Sequence, residues 1–345
     1  MIFPEYLKKN DGIGVTAMSH PVEDELERFR FEHGAETLRA MGYDVTFTEN
    51  VFKAADAFGR SGSGAEKATQ FNELVKNEKV KAIISAGGGD FLAEMLPYVD
   101  LEAFRENPKW VQGYSDNTSI LYYLTTKADV ATAYGCNFSD FGMEPWDISV
   151  RRGFGVLEGT VKKQNSFDFY QDGFGTHETG LEGYDATVPV EWKTLDGNKA
   201  SMEGRLIGGC MDVLLNICGT PFDGTRDFVE KYKKDGIIWY LESFDLGFEQ
   251  LMEGLWKLKI SGWFEGAKGF VFGRPLFYRA ENYDGTPLPS YKEVLMERLG
   301  DLNVPIIMDA DVGHKGPQFV MINGARTKVE AENGKGSVTY WEAEC

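Results

Sequence analysis

The chain has 345 residues, of which 42% are hydrophobic, 26% are charged and 40 are glycine. That balance suits one large or two modest globular domains with a real core and excludes collagen, coiled coil and long disorder. Lys and Arg total 36 against 54 Asp and Glu, a net charge of −18, which repels phosphate backbones and anionic lipid and so argues against a nucleic-acid or membrane partner.

The N-terminal stretch has no apolar core of the signal-peptide kind, and no segment reaches the ~18–20 apolar residues of a membrane span. The four cysteines, Cys136, Cys210, Cys218 and Cys345, form no C-x-x-C pair. A reducing, cytoplasmic setting is expected.

In chain order, short β-branched or aromatic runs at 13–18, 43–48, 80–85, 110–114 and 130–134 predict strands. Helical patterns fall between them at 23–41, 65–77, 91–98 and 117–126. Strand–helix–strand at this spacing predicts an α/β fold with a doubly wound, mostly parallel sheet over residues 1–145. Residues 146–203 are rich in Gly, Asp, Glu, Thr and Lys, and predict a polar linker of loops and short strands rather than another helical layer. Residues 204–345 predict a β-rich mixed α/β domain. There, 204–221 reads as a Gly-bounded turn leading into an apolar helix, 236–242 as a buried strand and 248–260 as a helix. Further strands are expected at 268–275 and 304–314. The tail alternates apolar and polar residues around Asn-Gly and Gly-Lys-Gly turns, a β-ribbon pattern.

Four places could carry chemistry. Ser115 lies where the strand 110–114 meets the helix 117–126, on a tight turn that would push its hydroxyl out and aim the next N–H at a helix start. The same Ser-Asp-Asn-Thr run is also good N-cap chemistry, and Asn117 stands where a G-x-S-x-G motif has its second glycine. Gly88 and Gly89 follow a strand and offer unencumbered N–H groups, but neither a Walker loop nor a G-x-G-x-x-G fingerprint is present. Glu242 ends a buried strand and needs a partner, either an arginine such as Arg274 or a histidine it would orient. His314 closes an apolar strand beside a Gly-Pro turn, where structural and functional roles both remain open. His20, His33 and His177 read as turn or surface residues. Cys136 and Cys210 could be nucleophiles but read better as buried structural thiols. No H-E-x-x-H, cysteine pair or histidine pair exists, and the DADVG run at 309–313 lacks the later glutamate of a calcium loop. Neither metal nor cofactor is expected.

Taken together, the Gly-Gly turn at 88–89, GYSDNT at 113–118, GRLIGGCMDVL at 204–214, YLES at 240–243, KGFVFGRP at 268–275 and VPIIMDADVGH at 304–314 resemble, in order, the LD-carboxypeptidase family of serine peptidases, which includes microcin-C self-immunity proteins. The resemblance implies a Ser–Glu–His triad whose positions fall on Ser115, Glu242 and His314. It also implies an oxyanion hole of backbone N–H groups from Gly88, Gly89 and Asp116. The implied site lies between an α/β domain carrying the serine and a β-rich domain carrying the other two, in a homodimer. The substrate would be a murein-type L,D-peptide or a peptidyl- or aminoacyl-nucleotide. Asp90-Phe91 stands where the cell-wall enzymes have Tyr-Gly, and the segment 146–203 is longer than theirs. Both features point to the microcin-immunity branch. There an aromatic of this region can stack on a nucleobase, so Trp192 is read as a substrate contact, with packing in the segment's own core as the alternative. Arg274 is a second candidate contact. The competing class is a catalytically silent small-molecule binder on the same scaffold.

Overall fold

A computed structural model describes residues 1–282 and 284–341. Cys345 and the last residues of the expected C-terminal domain lie outside this range.

The α/β expectation holds. Six strands form the first sheet in the spatial order Met321–Asn323, Thr132–Tyr134, Trp110–Gly113, Val80–Ser85, Gly12–Thr16 and Asp44–Phe47. The last five run parallel to one another, and Met321–Asn323 pairs antiparallel with Thr132–Tyr134. That edge strand comes from near the other end of the chain, so residues 1–145 do not complete their own sheet. The helices start where capping chemistry predicts. Asp24 accepts from Leu26 N and Glu27 N ahead of Glu25–Ala40, and Ser63 with Glu66 makes a capping box ahead of Gly64–Lys76.

The second sheet has eight strands, ordered Lys163–Asn165, Lys335–Tyr340, Arg326–Glu332, Lys199–Cys210, Ile237–Glu242, Ala267–Gly273, Ile306–Ala310 and Lys193–Thr194. Its centre is parallel and buried on both faces, so its strands read as continuous apolar runs. Alternation then sorts side chains between two cores. Ile238 and Tyr240 face the core shared with the first sheet. Ile237, Trp239 and Leu241 face a second core, closed by helices Met211–Ile217, Phe248–Ile260 and Tyr291–Leu299.

Two expectations need correction, and one helix was not foreseen. Residues 146–203 do contain a helix, Ile148–Leu157, capped by Asp147; Gly153 and Gly155 lower its apparent propensity, but Phe154 anchors it edge-on against Tyr43 and Phe141. The run at 204–210 is not a turn but the end of a twelve-residue strand, Lys199–Cys210, which passes directly into the helix Met211–Ile217. Its glycines mark close strand approach rather than chain reversal. Helix Tyr291–Leu299 was not anticipated, although Ser290 and Glu293 form a capping box before it.

Candidate active site

Three chain segments converge where the two sheets meet. The strand Trp110–Gly113 ends at Tyr114, and Ser115 follows with φ of +64°, a left-handed conformation unusual for a residue with a Cβ. The turn then opens directly into helix Thr118–Tyr123. Glu242 closes the central strand Ile237–Glu242 of the second sheet, and His314 follows Ile306–Ala310, two strands over in the same sheet. The serine Oγ lies 3.0 Å from His314 Nε2, and His314 Nδ1 lies 2.8 Å from Glu242 Oε2. With Nδ1–H turned to the carboxylate, Nε2 is left to accept from the hydroxyl.

Glu242 is fully buried and His314 nearly so. Burial alone would push the carboxyl pKa up, but the imidazole charge and the donors from His314, Tyr134 and Cys210 outweigh it, and the net shift is downward. Burial likewise works against the charged imidazole, while the facing Glu242 carboxylate more than offsets it and holds His314 above its ordinary value. Gly313, at φ +105°, leaves room for this pair, since a Cβ there would stand 2.7 Å from Glu242 Oε2.

The loop carrying Gly88 and Gly89 lies against the serine. A Cβ on Gly88 would sit 3.3 Å from Ser115 Oγ; Gly89 has φ of +146°, and a Cβ there would be 2.3 Å from Ser19 Oγ. The Asp116 carboxylate fastens this arrangement by accepting from Ser19 Oγ at 2.6 Å and Leu92 N at 2.8 Å. The Gly88–Gly89 loop and the turn at Asp116 are thereby held together beside the Ser115 hydroxyl.

Gly88, Gly89, Ser115, Asp116 and His314 line a cleft of about 530 Å³, whose wall also includes Phe174 and Phe244. Phe244 packs 4.9 Å from the His314 ring, and exposed Phe174 and Phe277 stand 6.4 Å and 5.3 Å from Phe244. Sequence reasoning missed Phe174, which sits in a polar loop with no periodic signal. It also missed Tyr134, a strand-end residue whose phenol reaches Glu242 Oε1 at 2.5 Å.

Two predicted contacts are placed elsewhere. Trp192 is 3% exposed, donates Nε1–H to Asp311 Oδ2 at 3.0 Å and packs on Phe319, so it is a core residue and not part of the cleft wall. Arg274 does not pair with Glu242. Its guanidinium donates to Asp311 Oδ1 at 2.7 Å and to the Asp309 carbonyl at 2.8 Å, beneath the Tyr170 ring. It borders a separate concavity with Lys193 and Lys315.

Cys136 and Cys210 are buried, and burial pushes both thiols well above their ordinary pKa, which disfavours a thiolate nucleophile. His20 is exposed and bonds the Gly59 carbonyl through Nδ1. Among the described residues, no group of three His, Cys, Asp or Glu is arranged to hold a metal, and no helix is long and apolar enough to cross a membrane.

Residues 13–135 match the LD-carboxypeptidase N-terminal domain, and residues 203–329 match the LD-carboxypeptidase C-terminal domain. A putative carboxypeptidase of Vibrio cholerae is 27% identical over 338 residues, covering 96% of each chain. The microcin C7 self-immunity protein MccF of Escherichia coli is 26% identical over 346 residues, covering 96% of this chain and 94% of the relative. A probable murein peptide carboxypeptidase of Bacillus subtilis is 23% identical over 325 residues, covering 94% and 90%. A solved structure of MccF in complex with aspartyl sulfamoyl adenosine shares the fold with a TM-score of 0.79, at 24% identity over 99% of both chains. The chain belongs to the LD-carboxypeptidase family, close to its microcin self-immunity members.

Proposed function

We propose that the protein is a metal-independent serine peptidase or amidase in which Ser115 is the nucleophile, His314 the general base and Glu242 the group that orients the imidazole. The observation that carries this reading is the unbroken hydrogen-bonded line from Ser115 Oγ through His314 to Glu242, set in an open cleft and headed by a serine in a strained conformation. Strain at a junction of this kind is expected where a hydroxyl must be presented to substrate.

In this mechanism His314 Nε2 takes the Ser115 proton as Oγ attacks the amide carbonyl carbon. Negative charge moves to the carbonyl oxygen, where the N–H groups of Gly88 or Gly89 and of Asp116 stabilise it, each donor lowering the barrier by roughly 3–4 kcal/mol. The protonated imidazole then gives its proton to the departing amine. Water, deprotonated by the same nitrogen, cleaves the acyl-serine and restores the enzyme. Glu242, held ionised, keeps Nδ1 protonated throughout.

Both L,D-peptides and aminoacyl-nucleotides carry a suitable amide or acyl linkage. The aromatic wall of Phe174, Phe244 and Phe277 favours the second class, because a nucleobase offers a flat face for it while a murein tetrapeptide offers none. The family resemblance also makes a homodimer the expected working form, and the cysteine usage a reducing, cytoplasmic setting. The test is to incubate wild type and Ser115→Ala with a murein tetrapeptide and with an aminoacyl sulfamoyl or phosphoramidate nucleoside, following products by mass spectrometry. Wild type should release the amino acid from the nucleoside and Ser115→Ala should not. Turnover of neither compound would refute the reading.

A further inference from the structure

The triad is usually drawn as a line with two ends, but here the ends meet. Tyr134 Oη donates to Glu242 Oε1 at 2.5 Å, and the Ser115 backbone N–H donates to the same phenol oxygen at 3.2 Å. Glu242 Oε2 then accepts from His314, and His314 Nε2 faces Ser115 Oγ. The circuit therefore starts on the main chain of Ser115 and returns to its side chain.

We infer that Tyr134 is a positioning residue for the proposed reaction, holding the elbow of Ser115 and the free oxygen of Glu242 in register across the interface between the two sheets. The inference rests on the triad reading above. Its physical basis is a division of constraint. The phenol is fully buried, and its strand is held on both sides, opposite Gly113 in one ladder and Met321 in the other. Glu242 belongs to the other sheet. A single hydroxyl thus ties the main chain that presents the nucleophile to the carboxylate that aims the base. It also occupies the Ser115 N–H, which has no intrahelical carbonyl to reach at a helix start, and so supports the left-handed conformation. Because its proton is committed to Glu242 and its lone pair to Ser115, Tyr134 does not serve as an acid toward substrate.

A plain packing role predicts something different. Tyr134 also touches Tyr114 and Tyr240 with its ring, and Phe would preserve those contacts. The groups facing the Glu242–His314 pair are Tyr134, Tyr114, Tyr240, Tyr291, Cys210 and Asp212. Burial raises the phenol and thiol pKa values, leaving them neutral across the working range. Asp212 is the one carboxylate among them, and it is held by Phe244 N and Asp245 N rather than by Tyr134.

The experiment compares Tyr134→Phe with Tyr240→Phe on the intact protein. Tyr240 donates to Asn323 Oδ1 at 2.8 Å and makes no hydrogen bond to the triad, so its variant removes a buried phenol bond without opening the circuit. For Tyr134→Phe, kcat should fall on the order of 10–100-fold with KM little changed, the size expected when reacting groups lose their alignment. The acidic inflection of kcat/KM should also move up, because the carboxylate loses one donor and its charge acts more fully on the imidazolium. Tyr240→Phe should keep the wild-type kcat and inflection whatever it costs in melting temperature. Wild-type kcat and pH profile in Tyr134→Phe would overturn the inference. Equal behaviour of the two variants, with loss tracking the folded fraction, would overturn it as well. Either result leaves the triad reading standing if wild type turns over and Ser115→Ala does not.

Discussion

Two buried carboxylates near the cleft, Glu242 and Asp311, have opposite kinds of partner. Asp311 is wholly inaccessible and meets Arg274 through Oδ1, while Trp192 Nε1 and Phe167 N donate to Oδ2. All of its donors are fixed in charge. Glu242 is equally buried, but one of its donors is an imidazole whose far nitrogen reaches a hydroxyl in an open cleft. Burial dominates at Asp311 and leaves its pKa raised despite the guanidinium, whereas at Glu242 the donors win. Full satisfaction by permanent donors makes a structural pin. A partner that can gain and lose a proton makes a chemical group.

The comparison can be broken from both sides. Glu242→Gln should cut kcat by roughly 10⁴-fold, through loss of the tautomer and of the charge that stabilises the imidazolium. Its sign on pH is fixed: with the raising charge removed, the acidic inflection of kcat/KM should fall from a position above 6.5 towards or below that ordinary value. An unmoved inflection in a pH-rate series would separate Glu242 from the base.

Asp311→Ala should act on stability instead. Leaving Arg274 buried without its partner costs about 3–5 kcal/mol, measurable by denaturant unfolding, and kcat per folded molecule should change far less than in Glu242→Gln. Phe174→Ala gives the smallest effect. Losing one exposed aromatic contact should weaken kcat/KM for a nucleoside substrate roughly 2–10-fold, mostly through KM, with stability within about 0.5 kcal/mol of wild type. Equal loss on a murein peptide would remove the nucleobase assignment.

What could be read from the sequence follows the range of each signal. The parallel sheet of residues 12–134 and helix Phe248–Ile260 were legible because periodicity and glycine punctuation are local. The strand Lys199–Cys210 was not, since its glycines serve contacts with neighbouring strands that only the fold supplies. Ser115, Glu242 and His314 stood out as a strand-end serine, a buried acid and a strand-end histidine, and family resemblance alone joined them into one set. Trp192 was read as a substrate contact from the family resemblance, with core packing as the alternative; the structure takes the alternative, because its indole N–H has a buried partner in Asp311, more than a hundred positions away. Tyr134 left no trace, because a phenol's second hydrogen bond depends on the meeting of two sheets.

The central claim is that one serine hydroxyl is activated by this histidine–glutamate pair. Treating the protein with a fluorophosphonate probe and mapping the adduct by peptide mass spectrometry tests it most directly. A single adduct on Ser115, absent in Ser115→Ala and strongly slowed in His314→Ala, is the predicted result. An adduct on another residue, or none on the wild-type protein, would contradict it.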